Sequence, residues 1–379
     1  MTSAIYIHIP FCKTHCPYCD FAVWVISHPR HANTIEAYID SLCLEIKARS
    51  HGEYIQTIYF GGGTPSILSS DQLSRIMQTL KENFQVSHQA EITLETNPGT
   101  VDLEKLKSIR QLGFNRLSIG VQTFDSELLQ KLARGHNKED ALKTLSWAKE
   151  AGFENISLDL IFGLPGQSMS SWEDTIDQAL SEQIQHISCY ALTIEEGTPF
   201  HKMYSNSNHT HTNSAKNSVI PSEEITVQMY EKLQVKLLEK GFEQYEVSNF
   251  AKTGFQSKHN LTYWRNEEFY GYGVSAHEFI KGERKSHNRN LEEYIQNPHS
   301  QIVLDCNPAL EELMLKLRTN EGLNLIEYQK KFDINLLTQK EKQIKQFQEA
   351  ELIILSENNL KLTSKGFILS TYLIGELAV

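Results

Sequence analysis

Short apolar runs recur along the chain. Each is closed by Gly or Pro and followed by a stretch with helical spacing. The runs are residues 4–9, 55–60, 91–96, 116–121, 155–162 and 186–192. Between them lie amphipathic stretches of helical length at 35–49, 71–84, 103–112, 138–151 and 172–183. Gly113 and Gly152 sit where helices should stop, and Ser170-x-x-Glu173 has the spacing of a capping box. Near-continuous apolar strands alternating with helices predict a parallel sheet covered on both faces. Six β/α units allow a doubly wound open sheet or a TIM-type barrel. Six are too few to close eight strands. The expected α/β fold is therefore a partial, three-quarter barrel with six parallel strands. In either architecture the chemistry belongs at the C-terminal ends of the strands.

The pattern changes after the sixth run. Twelve of the fourteen residues at 205–218 are Ser, Asn, Thr or His, with no apolar period, so the stretch at 204–221 reads as a flexible polar loop. His209 and His211 within it have metal-binding side chains, but a solvated loop accounts for them. Residues 223–239 are helical. Residues 243–289 are short strands and loops rich in Tyr, Phe and Trp. In the last seventy residues Pro308 opens a helix, Asn324 begins another and Thr338-x-x-Glu341 caps a third. Runs at 353–355 and 360–362 form a hairpin, and a final helix follows. That is the order of a winged helix. The expected division is a barrel core at 1–240, an extension at 241–306 and a small winged-helix-like α+β domain at 307–379.

Charge limits what such a domain does. Residues 307–379 carry 9 basic and 10 acidic side chains, whereas a DNA reader needs a basic face. The whole chain of 379 residues has a formal net charge of −11, which argues against nucleic-acid and anionic-membrane partners. No apolar run approaches the roughly 18 residues of a transmembrane span. Met1-Thr2-Ser3-Ala4 has neither a basic nor an apolar leader region, so a cytoplasmic location is expected. Thiols stay reduced there, which disfavours disulfides among the six cysteines. Cys43, Cys189 and Cys306 are scattered in apolar surroundings and read as small hydrophobes.

Cys12, Cys16 and Cys19 need another reading. Structural zinc wants four ligands, and no fourth is within sequence reach. A redox pair would use two. Three thiolates on one tight loop suit three irons of a cubane 4Fe–4S cluster, with the fourth iron open to an exchangeable small molecule.

The stretch Tyr6-Ile7-His8-Ile9-Pro10-Phe11-Cys12 through Cys16-Pro17-Tyr18-Cys19 resembles the radical S-adenosylmethionine superfamily. The resemblance implies that S-adenosylmethionine chelates the open iron and that the cofactors carry the hard chemistry. It implies that Gly62, Gly63 and Thr64, within Gly61-Gly62-Gly63-Thr64-Pro65, receive the methionine amino group; an ordinary βα turn is the plain alternative. Tyr18 would set its backbone against the adenine, and Tyr6 would lie near the sulfonium. Glu95, Gln122, Arg134 and Asp159 fall at or just after apolar runs, where a charge is costly unless paired or liganded. Read alone they are structural pairs, such as Glu95 with Arg134; the resemblance makes them contacts to the ribose, carboxylate and adenine. His8 and His136 read as structural.

Within the superfamily the match runs to the branch holding the oxygen-independent coproporphyrinogen III dehydrogenases and the heme chaperone HemW family. Two features separate them. The dehydrogenases extend the motif with a cysteine two positions after the third, where Phe21 stands here, and carry an arm before the first strand, which begins here at about residue 4. His259-Asn260-Leu261-Thr262-Tyr263-Trp264 resembles the chaperones' H-N-x-x-Y-W motif. An imidazole on an exposed loop with aromatic neighbours suits an iron porphyrin, with His259 as axial donor and Tyr263 and Trp264 on the flat face. A satisfied His in an aromatic cluster is the alternative, and His277 is a second candidate ligand. The resemblance implies a heme carrier rather than a catalyst, so no catalytic residue is assigned. Its partners would be heme, an acceptor protein and an electron donor such as a flavodoxin or ferredoxin. The competing readings are the dehydrogenase and a winged-helix regulator that senses the cluster.

Overall fold

The computed structural model describes residues 4–26, 32–204 and 219–378; of the polar loop expected at 204–221, residues 205–218, with His209 and His211, lie outside the described residues, and Tyr204 ends a helix. The chain runs β1 (Ala4–Ile9), β2 (Phe11–Cys12), β3 (Trp24–Val25), α1 (Ala32–Arg49), β4 (Tyr54–Gly62), α2 (Ser70–Asn83), β5 (Gln85–Thr96) and α3 (Leu103–Leu112). It continues through β6 (Arg116–Gln122), α4 (Ser126–Lys131), α5 (Lys138–Glu150), β7 (Asn155–Phe162), α6 (Met169–Ser181), β8 (His186–Ala191), α7 (Pro199–Tyr204) and α8 (Glu223–Glu239). Then come β9 (Glu243–Glu246), β10 (Asn249–Ala251), α9 (Lys258–Trp264), β11 (Phe269–Tyr272), β12 (His277–Ile280), β13 (Glu283–His287), α10 (Leu291–Gln296) and β14 (Gln301–Leu304).

The six expected strands β1, β4, β5, β6, β7 and β8 lie side by side in chain order and pair in parallel. The fold is an α/β partial barrel of the TIM type. The sheet is wider than the apolar pattern suggested. β11 adds a seventh parallel strand against β1, and β12, β13 and β14 continue from it in antiparallel order. At the other edge β10 pairs antiparallel with β8, and β9 with β10, giving twelve strands in all. Residues 241–306 thus extend both edges of one sheet.

Burial on both faces hides an alternation within each strand. In β6, Leu117, Ile119 and Val121 join the hydrophobic core beneath the helices, whereas Arg116, Ser118 and Gly120 face the lumen. In β7, Ile156, Leu158 and Leu160 point outward and Asp159 inward; in β5, Ile92 and Leu94 point outward and Glu95 inward. The barrel is therefore greasy outside and polar inside.

Helix caps explain where most elements begin. Ser69 with Gln72 and Asn137 with Asp140 form reciprocal capping boxes for α2 and α5. The cap expected at Ser170 is at Ser168 instead, whose side chain accepts from Ser171 N; Ser170 is already inside α6. Gly113 ends α3 at φ 107°, a conformation that side chains rarely adopt.

The C-terminal domain comprises α11 (Pro308–Leu317), β15 (Leu323–Asn324), α12 (Leu325–Phe332), α13 (Leu336–Gln339), α14 (Glu341–Glu349), β16 (Ile353–Ser356), β17 (Asn359–Leu362), α15 (Ser364–Ile368) and α16 (Ser370–Leu377). Asn307 caps α11 with Pro308 in its first turn, and Asn324 caps α12. Thr338 does not cap α14. It lies inside α13, which Asn335 caps. The hairpin is joined by β15 into a three-stranded sheet. Among the described residues no helix is long and apolar enough to cross a membrane.

One buried carboxylate ties α1 to the β11 side of the barrel. Glu45 is fully buried. It accepts from Gly273 N at 3.0 Å, Tyr294 OH at 2.6 Å and His287 Nε2 at 2.7 Å, and it pairs with Arg49. Arg49 also pairs with Glu278 on β12 and donates to Gly271 O at 3.1 Å. Removing one partner of a buried charged network leaves the others unpaired, at about 3–5 kcal/mol. Glu45→Ala should lower stability by about that amount in urea titration, and Glu45→Gln by less because it keeps an acceptor. A loss below about 1 kcal/mol for Glu45→Ala would show that the network contributes little.

Candidate functional site

The cysteine loop leaves β1 through Pro10 and returns at β3. β2 and β3 close it as a short parallel ladder, Phe11 against Trp24 and Cys12 against Val25. Trp24 N donates to Pro10 O at 2.7 Å and Cys19 N to Cys16 O at 3.1 Å, which draws the three thiols onto one wall. The next turn is stitched to the same wall: Gly63 N donates to Ile9 O at 2.8 Å and Thr64 N to Phe11 O at 2.8 Å. Gly62 has φ 112°, and a Cβ there would come within 2.6 Å of the His8 ring. Only glycine fits.

Cys12, Cys16, Cys19, Tyr18, Gly62, Gly63, Thr64, Glu95, Gln122, Arg134 and Asp159 all line one cavity of about 510 Å³ at the C-terminal ends of the strands. Of the residues expected in this site, Tyr6 alone stays behind the wall. Its ring lies 6.3 Å from that of Tyr59 and its hydroxyl 3.0 Å from His8 Nδ1. Cys43, Cys189 and Cys306 are outside the cavity lining, and all six thiols are free.

A chain of hydrogen bonds runs from one cysteine to another. Cys12 Sγ lies 3.5 Å from Thr64 Oγ1, which accepts from Asn97 Nδ2 at 2.9 Å. Asn97 Oδ1 accepts from Arg134 Nη2 at 2.5 Å, and Arg134 Nη1 donates to Cys16 Sγ at 3.7 Å. Arg134 also donates to Gly120 O at 2.8 Å, and a Cβ on Gly120 would lie 2.7 Å from Asn97 Oδ1 and 3.2 Å from Arg134 Nη2. Gln122 ends β6 at φ 68°, past a register shift against β7. A positive φ is uncommon in a non-glycine residue.

The expected pair of Glu95 with Arg134 does not form. Glu95 accepts from Tyr59 OH at 2.9 Å and Gly62 N at 3.1 Å. Burial, reinforced by the neighbouring Asp159, pushes Glu95 up to about 7. Burial also raises Asp159, against the Ser118 hydroxyl that donates to it at 2.9 Å. Burial pushes the Cys19 thiol up to about 11 and raises Cys12, so ligation of iron would release their protons. His8 and His136 are pushed down to about 4, chiefly by burial, and are neutral.

The chemistry of this wall fits an iron–sulfur cluster with a chelating small molecule beside it. Three free thiols, Cys12, Cys16 and Cys19, line it together, and thiolates are the ligands that hold such clusters. Arg134 Nε is buried without a hydrogen-bond partner and lies at the cavity wall, available to a bound anion.

The motif carried by α9 lies elsewhere. His259 is on a helix, fully buried, rather than on an exposed loop. Its Nδ1 is 2.8 Å from Thr57 Oγ1 and its Nε2 2.6 Å from Tyr263 OH, and the ring stacks on Tyr59 at 5.1 Å. Burial holds it down to about 3. His259, Tyr263 and Trp264 do not line the cavity, whereas Asn260 does. His277 is exposed at the start of β12. Sequence reasoning missed Tyr59, Arg116, Ser118, Ser188, Tyr190 and Asn260, all in the lining. Except for Asn260, each falls on the same alternate positions of its strand as the other lumen-facing residues, a period that the near-continuous apolar runs obscure.

Comparison with known proteins agrees with this geometry. The family described as "Radical SAM superfamily" matches residues 6–179, and the "HemN C-terminal domain" matches residues 307–369. The chain is 36% identical to the heme chaperone HemW of Bacillus subtilis, over 98% of this chain and 97% of that one. It is 34% identical to the heme chaperone HemW of Lactococcus lactis, over 96% and 94%. It is 32% identical to the mitochondrial radical S-adenosyl methionine domain-containing protein 1 of Danio rerio, over 97% and 85%. The solved structure of coproporphyrinogen III oxidase from Escherichia coli shares the fold, with TM-score 0.81 and 24% identity over 99% of this chain and 90% of that one. With full-length identity to two such chaperones and the superfamily's cysteine loop in place, this chain belongs to the HemW family of the radical SAM superfamily.

Proposed function

We propose that the protein is a cytoplasmic heme chaperone: it binds heme and passes it to an acceptor protein, and it carries a 4Fe–4S cluster with S-adenosylmethionine. One observation carries the cofactor half: three cysteines and eight of the nine expected cofactor side chains or turn residues line a single cavity at the strand ends. Full-length likeness to proteins named heme chaperone carries the heme half. Free thiols suit a reducing compartment.

In this reading Cys12, Cys16 and Cys19 hold the cluster. The turn at Gly62, Gly63 and Thr64 receives the amino group of S-adenosylmethionine, and Arg134 its carboxylate. Glu95, Gln122 and Asp159 hold the ribose and adenine, Tyr18 borders the adenine, and Tyr6 fixes the wall behind. Held by Cys12, Cys16 and Cys19 and reduced by a small electron-transfer protein such as a flavodoxin or ferredoxin, a cluster would supply one-electron chemistry toward the sulfonium. The chain's own residues orient the cofactor and exclude water. Asn97 and Arg134 keep the cysteine loop and the glycine turn in fixed relation. His259 is the candidate axial donor to heme, with Tyr263 and Trp264 beside the ring. It reaches iron only when Tyr263 lets go of Nε2.

Three outcomes test this. Replacing Cys12, Cys16 or Cys19 by Ala should abolish the cluster, while the same change at Cys43, Cys189 or Cys306 leaves iron and sulfide content unchanged. A requirement for any of the second three would overturn the ligand set. Asp159→Ala should weaken S-adenosylmethionine binding by about ten-fold or more in calorimetry, with the cluster intact, because a charged hydrogen bond is lost. Unchanged affinity would make Asp159 a purely structural partner of Ser118. In Soret titrations wild type should bind heme and form no decarboxylated product from coproporphyrinogen III under anaerobic, reducing conditions. His259→Ala should weaken heme binding, whereas Tyr263→Phe, which frees Nε2, should not. A catalytic yield of decarboxylated product with negligible heme binding would favour the dehydrogenase.

A further inference from the structure

Below the residues assigned to S-adenosylmethionine, the cavity reaches a floor that the proposed function leaves unused. Arg116 opens β6 there. It is 1% exposed and lines the cavity. Neither Nε nor Nη1 has a hydrogen-bond partner among the described residues. The two carboxylates in the same chamber are engaged by other donors, Glu95 by Tyr59 and Gly62 N, and Asp159 by Ser118.

The neighbours of Arg116 in register are short of partners too. Thr93 on β5 and Asn155 on β7 pair with it across the sheet. Thr93 Oγ1 and Asn155 Oδ1 are both buried without a hydrogen bond. Beneath them the barrel is sealed. Glu91 accepts from His259 N at 3.0 Å and Lys258 N at 3.2 Å, which docks the start of α9 across the bottom. His186 bonds to Ser157 at 2.7 Å and Tyr245 at 2.8 Å, and both His186 and His259 are neutral. The guanidinium therefore faces, from below, the neutral imidazoles of His186 and His259 and the Glu91 carboxylate already engaged by backbone amides. From above it faces Glu95 and Asp159, whose charge it favours but which take their hydrogen bonds from other donors. From α9, Asn260 alone looks up into the cavity.

A buried cation with free donors on a cavity wall is costly to maintain unless an anion meets it. Guanidinium donors match carboxylates best, through short charge-assisted hydrogen bonds. We infer that Arg116, with the unpartnered Thr93 hydroxyl beside it in register, forms a carboxylate-binding subsite on the barrel floor, distinct from the residues assigned to S-adenosylmethionine. Its occupant is the acid group of a molecule reaching down the cavity. A small free carboxylate and the propionate arm of a porphyrin share this chemistry; only the second rests on the proposal that the protein binds heme, and it puts the porphyrin in the cavity rather than against His259.

The test uses cluster-loaded protein and two pairs of probes. Propionate is compared with its neutral analogue propionamide by thermal denaturation at matched ionic strength. Heme is compared with its dimethyl ester by Soret titration. Wild type should gain about 2 °C from propionate and nothing from propionamide. It should bind heme about ten-fold more tightly than the ester. Arg116→Gln should erase both differences, and Arg116→Lys, which keeps the charge, should retain part of each. Cluster absorbance should not change in either variant. Should Arg116→Gln fail to fold, reduced but persistent discrimination in Arg116→Lys carries the assignment.

Wild type that treats each pair alike has only water at this floor, and the proposal falls. Discrimination that survives in Arg116→Gln puts the carboxylate elsewhere and also overturns it. A propionate effect lost in Arg116→Gln, with no heme binding by wild type, leaves the subsite standing while the heme reading fails.

Discussion

A barrel whose strands turn their polar residues inward must satisfy or fill what it encloses. This constraint organises the molecule. Ser118, Asp159, Glu95, Tyr59 and Arg116 project into one chamber, where each unpartnered polar group costs free energy. Most are paired: Ser118 with Asp159, Tyr59 with Glu95, Ser157 with His186, Thr57 with His259. The outward faces carry Ile, Leu, Val and Phe into one continuous core shared with the helices and the C-terminal domain. Apolar burial outside the barrel thus supports a polar interior that could not stabilise itself.

The added strands and α9 make such an interior tenable. Without the 241–306 segment, β1 and β8 would be open edges, and the bottom of the lumen would face water. β11 and β10 cover the edges, and α9 seals the bottom by resting its first amides on Glu91. The Glu45 cluster then fixes α1 against β11 and β12. At the top, no lid is built from secondary structure among the described residues. The wall consists of the cysteine loop and the glycine turn, held together by Thr64, Asn97 and Arg134. A rigid frame below and a short, cross-braced loop above are what a chelating cofactor site needs. The cavity is open where a ligand would enter and closed where water would leak in from below.

Much of this was legible in the chain. The three cysteines directly follow the first strand, and the glycine turn follows the second, so local order alone put both at one end of the barrel. Caps and left-handed glycines marked most helix ends, because those are contacts within one turn. The caps read at Ser170 and Thr338 were off, since each competed with a better-placed Ser168 or Asn335.

What depended on closure was less legible. Read as a string, β6 and β7 look like apolar runs with occasional polar interruptions. Only when the sheet curls do the interruptions line up as a lumen, so that Glu95 meets Tyr59 rather than Arg134, and Arg134 meets Asn97 and Cys16. His259 is the clearest case. Its motif suggests an exposed ligand, yet Thr57, some two hundred residues earlier, takes one ring nitrogen, and Tyr263, one turn later, takes the other. By itself the sequence determined the repeat, the order of the elements and the chemistry of the cysteine loop, because these rest on spacing between near neighbours. Tertiary structure decided which polar residues face one another and which are left without partners, because strands distant in the chain become adjacent only when the barrel forms.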